Sequence, residues 1–380
     1  MRHQLTGDNQ QRTQPRAMPS LPSRLRLVPR AKKLLWKAAW SAVEATAPAV
    51  KIVQLHARRV TEQAGEVLEY VRVVDEPAII ETQTGYIISR RGVLLEESLQ
   101  PNGLLPNAPW RYGGLPDPSI VRCLRQGLCP EPQRFKRVVS LRHLWEWNYF
   151  VFYLDVLGKL NLLDSVGIEP DTPIVLGRYA KELPWTQQIL NYSDWHGRHW
   201  VIPESDFVSA DQVVYCRTRQ NFKERLDLIL DALHVPQQMD QFTDRVFLNR
   251  GGNSMRRLTN QDEIWEILLR FKFRMVDSAQ MSIAEQIEVF AKTRYLVALH
   301  GAGLTNIIFR RGAPLNVLEL QSRLYPSPNK MTSFGMISQA YGYHWERLTG
   351  EPESVSDDPQ HGDFCISPSA LEERLSRWFG

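Results

Sequence analysis

The sequence predicts an α/β protein built on doubly wound parallel sheets, and three observations carry that prediction. Its 380 residues exceed one ordinary core and suggest two domains of about 150 residues each. Apolar runs alternate with amphipathic helical periods through the second half, the pattern of a parallel sheet with crossover helices. At 295–320, YLVALHGAGLTNIIFRRGAPLNVLEL reads as strand, glycine loop, short helix and parallel strand. Glycines at the carboxyl end of a strand let backbone approach a ligand, and the amides opening the next helix favour an anion. The physical reading is a phosphate cradle.

Composition narrows the alternatives. The chain is 43% hydrophobic and 10% aromatic, as expected of a folded soluble protein. Cys123, Cys129, Cys216 and Cys365 form neither a CxxC pair nor a disulfide-dense pattern, so a reduced, cytoplasmic setting without a structural metal site is expected. No stretch of about 18 apolar residues occurs, and no apolar signal core opens the chain. An HGAG string also occurs in esterase oxyanion loops, but those need a G-x-S-x-G elbow that is missing.

Residues 1–60 hold twelve Lys or Arg against Asp8 and Glu44, a local charge of +10 in a chain whose net charge is +4. Residues 1–30 are a basic tail too poor in large apolar groups to order itself. The segment 31–66 opens with AKKLLWKAAWSAVEA, a basic amphipathic helix whose Trp36 and Trp40 suit an interface. Two partners are open to residues 31–46: an anionic membrane surface at the inner face, or a protein surface. No nucleic-acid reading motif accompanies the charge.

From 67 to 235 the expected first domain contains strands near Val71, Ile79 and Ile87, a Pro- and Gly-rich loop over 100–130, a strand at Phe135–Ser140, and a long buried helix through Tyr149–Leu160. Asp155 lies inside that apolar helix, so it pairs with a cation, caps a loop or faces a cleft. From 236 to 380 the second domain reads as strand Arg245–Leu248, a loop with Arg250, Gly251, Gly252, Arg256 and Arg257, and a helix capped at Asn260 with Glu263. Strand Phe273–Val276 follows, then a Ser282–Glu285 capping box opening the helix before Tyr295. The last helix, opened by Ser367 and Pro368, is expected to close the chain, with the option of packing back on the first domain.

Ligands of such sheets sit beyond the carboxyl ends of the strands. There the glycine loop with His300, the arginine loop, and Glu319 fit a nucleotide diphosphate: amides and Arg250, Arg256 and Arg257 on the phosphates, Glu319 on the ribose.

The string HGAGLTN, its lead-in from Glu285 and its exit GAPLNVLEL resemble glycosyltransferase family 61, whose bacterial members are often labelled capsular polysaccharide biosynthesis proteins. Leu248, Asn249 and Arg250 followed by Arg256, Arg257, Asn260 and Gln261 are similar to the family's upstream motif, and the resemblance spans roughly residues 140–350. It implies a GT-B architecture of two Rossmann-like domains facing a cleft. It also implies metal-independent, inverting transfer from a nucleotide sugar, a UDP-sugar being the expected donor, to a glycan or lipid-linked hydroxyl, with no cofactor. In that scheme Arg250, Arg256 or Arg257, His300, and the loop Gly301, Ala302, Gly303, Leu304, Thr305 and Asn306 hold the leaving pyrophosphate. The family's first-domain motif maps onto Asn148–Lys159, where Val151 and Gly158 stand in place of the usual His and Pro; Asp155 is retained and becomes the candidate base. Those two departures keep a second reading open, a non-catalytic sugar-nucleotide sensor or assembly scaffold on the same fold.

Overall fold

The computed structural model describes residues 51–62, 65–82, 85–89, 95, 133–143, 145–177, 179–205, 207–218, 223–237, 243–250, 255–325, 331–353 and 362–380. The basic tail, the amphipathic run 31–46, and Cys123 and Cys129 lie outside them.

The first sheet has the order β1-β2-β8-β5-β6-β7, with β3 pairing β8 and β4. Its strands are β1 (Ile52–Glu62), β2 (Gly65–Val74), β3 (Ala78–Glu81), β4 (Ile87–Ser89), β5 (Gln133–Ser140), β6 (Ile174–Val175), β7 (Trp200–Val201) and β8 (Phe207–Arg217). Strands β8, β5, β6 and β7 run parallel, whereas β1, β2, β3 and β4 pair antiparallel. The sheet is therefore mixed, where a doubly wound parallel one was expected. The cause lies in the connections: β1 to β2 and β3 to β4 are joined by hairpins, too short for a parallel crossover. Gly85, at φ +84°, turns the second hairpin, and a Cβ there would also strike the Arg142 side chain. Strand β1 corrects another expectation, since it begins inside the segment 31–66 assigned to helix. Its alternating IVQLHARRV pairs along β2 from Ile52 opposite Val74 to Glu62 opposite Gly65.

The helix after β5 runs from 149 to 165 as α1. Asn148 caps it by accepting from the Phe150 and Val151 amides, and Phe152–Leu157 forms a π-helical turn within it. Helices α2 (Tyr179–Glu182), α3 (Pro184–Tyr192) and α4 (Lys223–Ala232) complete this half.

The second sheet has the order β10-β9-β11-β12-β13-β14. Strands β9 (Asp244–Leu248), β10 (Arg274–Val276), β11 (Thr293–Leu299), β12 (Asn316–Ser322) and β13 (His344–Pro352) are parallel, and β14 (Phe364–Cys365) is antiparallel. Helices α5 (Gln261–Arg270), α6 (Ile283–Lys292), α7 (Ser333–Tyr341) and α8 (Pro368–Phe379) flank it. Ser282 and Glu285 form the expected capping box of α6. Asn260 does not cap α5; its side chain exchanges bonds with the Ile366 backbone at 2.8 and 3.1 Å, tying α5 to the segment before α8.

Alternation along the strands puts Val71 and Val73 of β2 in one core and Tyr70 and Val74 in another. The larger core is continuous across both sheets: it joins Val139, Tyr153 and Leu226 of the first half to Val246, Leu296, Phe309 and Ile337 of the second. Helix α8 does not pack back on the first half. Leu371 and Leu375 are buried with Phe247, Ile264 and Leu318, on the outer face of its own sheet.

Candidate functional site

Beginning at β9, the chain runs outward to β10 and then returns across β9 to β11, β12 and β13. The strand order therefore reverses between β9 and β11, and the crevice of a doubly wound sheet opens at that point. Arg250 follows β9 and His300 follows β11, so the two stand on either side of the switch. The Arg250 Nη1–H donates to the His300 carbonyl at 2.8 Å, which lays the guanidinium over Gly301. A Cβ on Gly301 would overlap that guanidinium; here the glycine serves close approach, its φ of 169° being ordinary extended backbone. The loop then enters a 3-10 helix, Ala302–Arg310.

Arg250 has no carboxylate partner among the described residues, and its Nε has no hydrogen-bond partner there. Burial, assisted by the neighbouring charge of Arg256, pushes its guanidinium down to about 10. Arg250 thus stands near a second cation with no carboxylate of its own among the described residues, an arrangement that suits an anion. Arg257 does not join them. Its Nε and Nη2 donate to Asp363 at 3.0 and 2.7 Å, and that bond holds the exposed guanidinium in its charged form.

His300 is buried, and its Nδ1 bonds the Glu319 carboxylate. Glu319 is wholly buried and also accepts from Thr332 Oγ1 and Trp345 Nε1, each at 2.9 Å. It therefore cannot take a ribose, as its position at a strand end suggested; it orients His300. With Nδ1 occupied, Nε2 is the ring nitrogen left for a ligand. The ring lies 4.2 Å from Tyr325 and 5.6 Å from Phe334 between centroids, and Phe334 meets Phe150 of α1 at 5.4 Å. Tyr325, in the turn after β12, is a site residue that sequence reasoning did not find. No spacing signal marks it.

The rest of the HGAGLTN block supports the loop instead of lining the crevice. Leu304, Thr305 and Asn306 are fully buried, and Thr305 Oγ1 donates to the Ala302 carbonyl at 2.6 Å. Asn306 Oδ1 accepts from Tyr149 Oη at 2.8 Å, its Nδ2 donates to Gln286 Oε1 at 2.8 Å, and Tyr149 also reaches Gln286 at 3.1 Å. One residue from α1, one from α6 and one from the loop helix thus close a buried triangle. The loop is fixed by the first half of the chain.

Asp155 sits in the π-helical turn, buried, with Lys159 Nζ 2.6 Å from Oδ1 and His143 Nε2 3.3 Å from Oδ2. His143 Nδ1 accepts from the Trp145 amide at 3.1 Å. Burial outweighs the attraction of Asp155 and lowers the His143 imidazole to about 4. Both carboxylate oxygens of Asp155 face a partner, so it is not a free base. Val151, where the family pattern has histidine, is buried.

No group of three or more His, Cys, Asp or Glu among the described residues is placed to hold a metal, and no helix among them is long and apolar enough to cross a membrane.

Residues 120–315, just over half of the chain, match the Glycosyltransferase 61 family. Among solved structures, the E. coli heptosyltransferase WaaC with ADP is 9% identical at a TM-score of 0.31, covering 64% of this chain and 97% of that one. The iron-containing dodecameric glycosyltransferase TibC from enterotoxigenic E. coli is 8% identical at 0.30, covering 88% and 100%. Likeness at this level bears on neither substrate nor mechanism. A search of curated proteins finds no match.

Proposed function

The chain belongs to the glycosyltransferase 61 family, and from that premise we propose that its second sheet holds a nucleotide sugar and that it transfers the sugar to a hydroxyl of a glycan or lipid-linked acceptor. The observation that carries this reading is Arg250, a largely buried guanidinium with no carboxylate partner among the described residues, at the switch point and beside Arg256. A diphosphate supplies the anion that Arg250 lacks among the described residues, and the amides opening the Ala302 helix favour the same ligand.

In transfer, the bond from the sugar's anomeric carbon to the diphosphate breaks as the acceptor oxygen bonds to that carbon and gives up its proton to a base, Asp155 being the candidate, while charge develops on the leaving diphosphate. Arg250 and Arg256 meet that charge directly. His300, oriented by the buried Glu319 carboxylate, presents Nε2 to a phosphate oxygen. In this proposal side chains and amides compensate the charge without a metal, and a single displacement on the face opposite the leaving group inverts the anomeric centre, as in a GT-B type cleft. Asp155 serves as base only if Lys159 and His143 release it.

That last condition supports a second reading, binding of the sugar nucleotide without transfer. Thermal denaturation of the purified chain against UDP, ADP, GDP and CDP and their glucose conjugates tests the crevice. One nucleotide is expected to raise the melting temperature by mass action, and Arg250→Ala is expected to abolish the rise. No rise with any of them at millimolar concentration would overturn the proposal. Binding without turnover over a broad acceptor panel would establish the second reading.

A further inference from the structure

Gln321 stands two residues beyond Glu319 on β12, so the two side chains leave the strand on the same face. Glu319 has three partners. Gln321 is 2% exposed, and neither its Oε1 nor its Nε2 has a hydrogen-bond partner among the described residues. The nearby polar groups are engaged with one another: the Arg323 amide donates to the Gly350 carbonyl at 2.9 Å, and Ser322 Oγ accepts from the Leu324 amide at 3.3 Å. A buried carboxamide with every position empty is rare in folded proteins and calls for an explanation.

Its place in the sheet supplies one. Leu299 pairs with Leu320, and the His300 amide extends the ladder by donating to the Leu320 carbonyl at 2.8 Å. Gln321 therefore lies beside His300, about 5 Å away across the strand spacing, on the side of β11 opposite Arg250. Arg250 and Gln321 bracket the loop that holds the diphosphate.

We propose that Gln321 is a donor-recognition residue whose carboxamide takes a vicinal diol of the nucleotide sugar, Nε2–H donating to one oxygen while Oε1 accepts from the neighbouring O–H. The proposal rests on the nucleotide-sugar reading of the crevice. An amide carries a donor beside an acceptor. Phosphate and carboxylate call for donors alone and a cation for acceptors alone, whereas a diol matches both. Ribose and the transferred sugar both carry diols one ester bond from the diphosphate; the edge of the base is farther off, across the ribose ring. The turn closed by the Tyr325 amide on the Ser322 carbonyl, at 3.0 Å, follows Gln321 directly and is the segment that must admit the ligand.

Calorimetric titration of the full chain tests this, using whichever of UDP, ADP, GDP or CDP raises the melting temperature most, together with its glucose conjugate. Gln321→Met keeps the volume and removes the amide. It is expected to raise the melting temperature of the ligand-free protein and to weaken binding about tenfold, the equivalent of one good hydrogen-bonding group. An equal loss for diphosphate and conjugate assigns the diol to ribose, and a loss for the conjugate alone assigns it to the transferred sugar; either supports the proposal. Unchanged affinity for both ligands, while Arg250→Ala still abolishes binding, would overturn it and leave the amide with a buried water only. Gln321→Leu, also without the amide and adding no charge beside the diphosphate, gives the same decision if the Met variant does not fold. No binding by the unaltered chain would instead sink the crevice reading itself.

Discussion

Along the carboxyl edge of the first sheet Asp155 faces Lys159 and His143, Arg142 faces Glu146, and Glu69 faces Arg225 and Thr218. Along the same edge of the second sheet Arg250 faces no carboxylate and Gln321 no hydrogen-bond partner among the described residues, and His300 is held from behind so that one nitrogen is left over. Both edges are rich in buried polar groups, and both end parallel strands. What separates them is completion. A buried charge answered by another buried charge belongs to the fold, whereas one with no counter-charge among the described residues, at a switch point, is what the proposed diphosphate would answer.

Breaking the closed edge should cost stability first. Asp155→Ala strands Lys159 and His143 in the core and should destabilise the protein by about 3–5 kcal/mol in urea unfolding. Full stability with lost transfer would instead make Asp155 the base and collapse the contrast between the edges. At the open edge the effect should reverse: Arg250→Ala should lower turnover on the order of a hundredfold while the unfolding midpoint holds or rises. The triangle between the halves should show in both readouts. Tyr149→Phe leaves Asn306 short of a donor and should cost about 1–3 kcal/mol, with a weaker nucleotide-induced shift because the loop helix is less firmly held.

The last effect concerns pH. His143 titrates near 4 when folded and near its ordinary 6.5 when unfolded, so between those values the unfolded chain binds the extra proton. Stability is therefore full at neutral pH and falls as pH drops from about 6.5 towards 4, by at most about 1.4 kcal/mol per pH unit from this group. Melting temperatures of His143→Gln across that window should show a shallower decline than those of the unaltered chain. Equal slopes would place the acid sensitivity elsewhere.

Local signals were legible in the sequence and distant partners were not. The Ser282–Glu285 box, the β11 loop helix and β12 are written within a few residues, and each is found where its pattern put it. The positions of Arg250 and His300 just beyond β9 and β11 were also legible, because strand ends and glycines mark them. Glu319 was misread because Thr332 and Trp345, which consume its acceptor capacity, follow 13 and 26 residues later. Asp155 was left open between ion pair and cleft, and only the packing of His143 against the π-helical turn decides it. Gln321 carried no signal, since an amide at a strand end is ordinary until its surroundings prove empty. A helical segment was assigned over 31–66 from the amphipathic spacing at its start, and the alternation that makes β1 lies inside it.

The guanidinium resting on Gly301 has a consequence for the family's other sequences. Positions 250 and 301 are coupled: a Cβ at 301 would make the guanidinium lying across it move aside. A relative with alanine or serine at the second position is expected to hold the arginine at the first in another pose, away from the proposed anion site. Those two positions read together would sort relatives that retain the donor crevice from those that have kept only the scaffold.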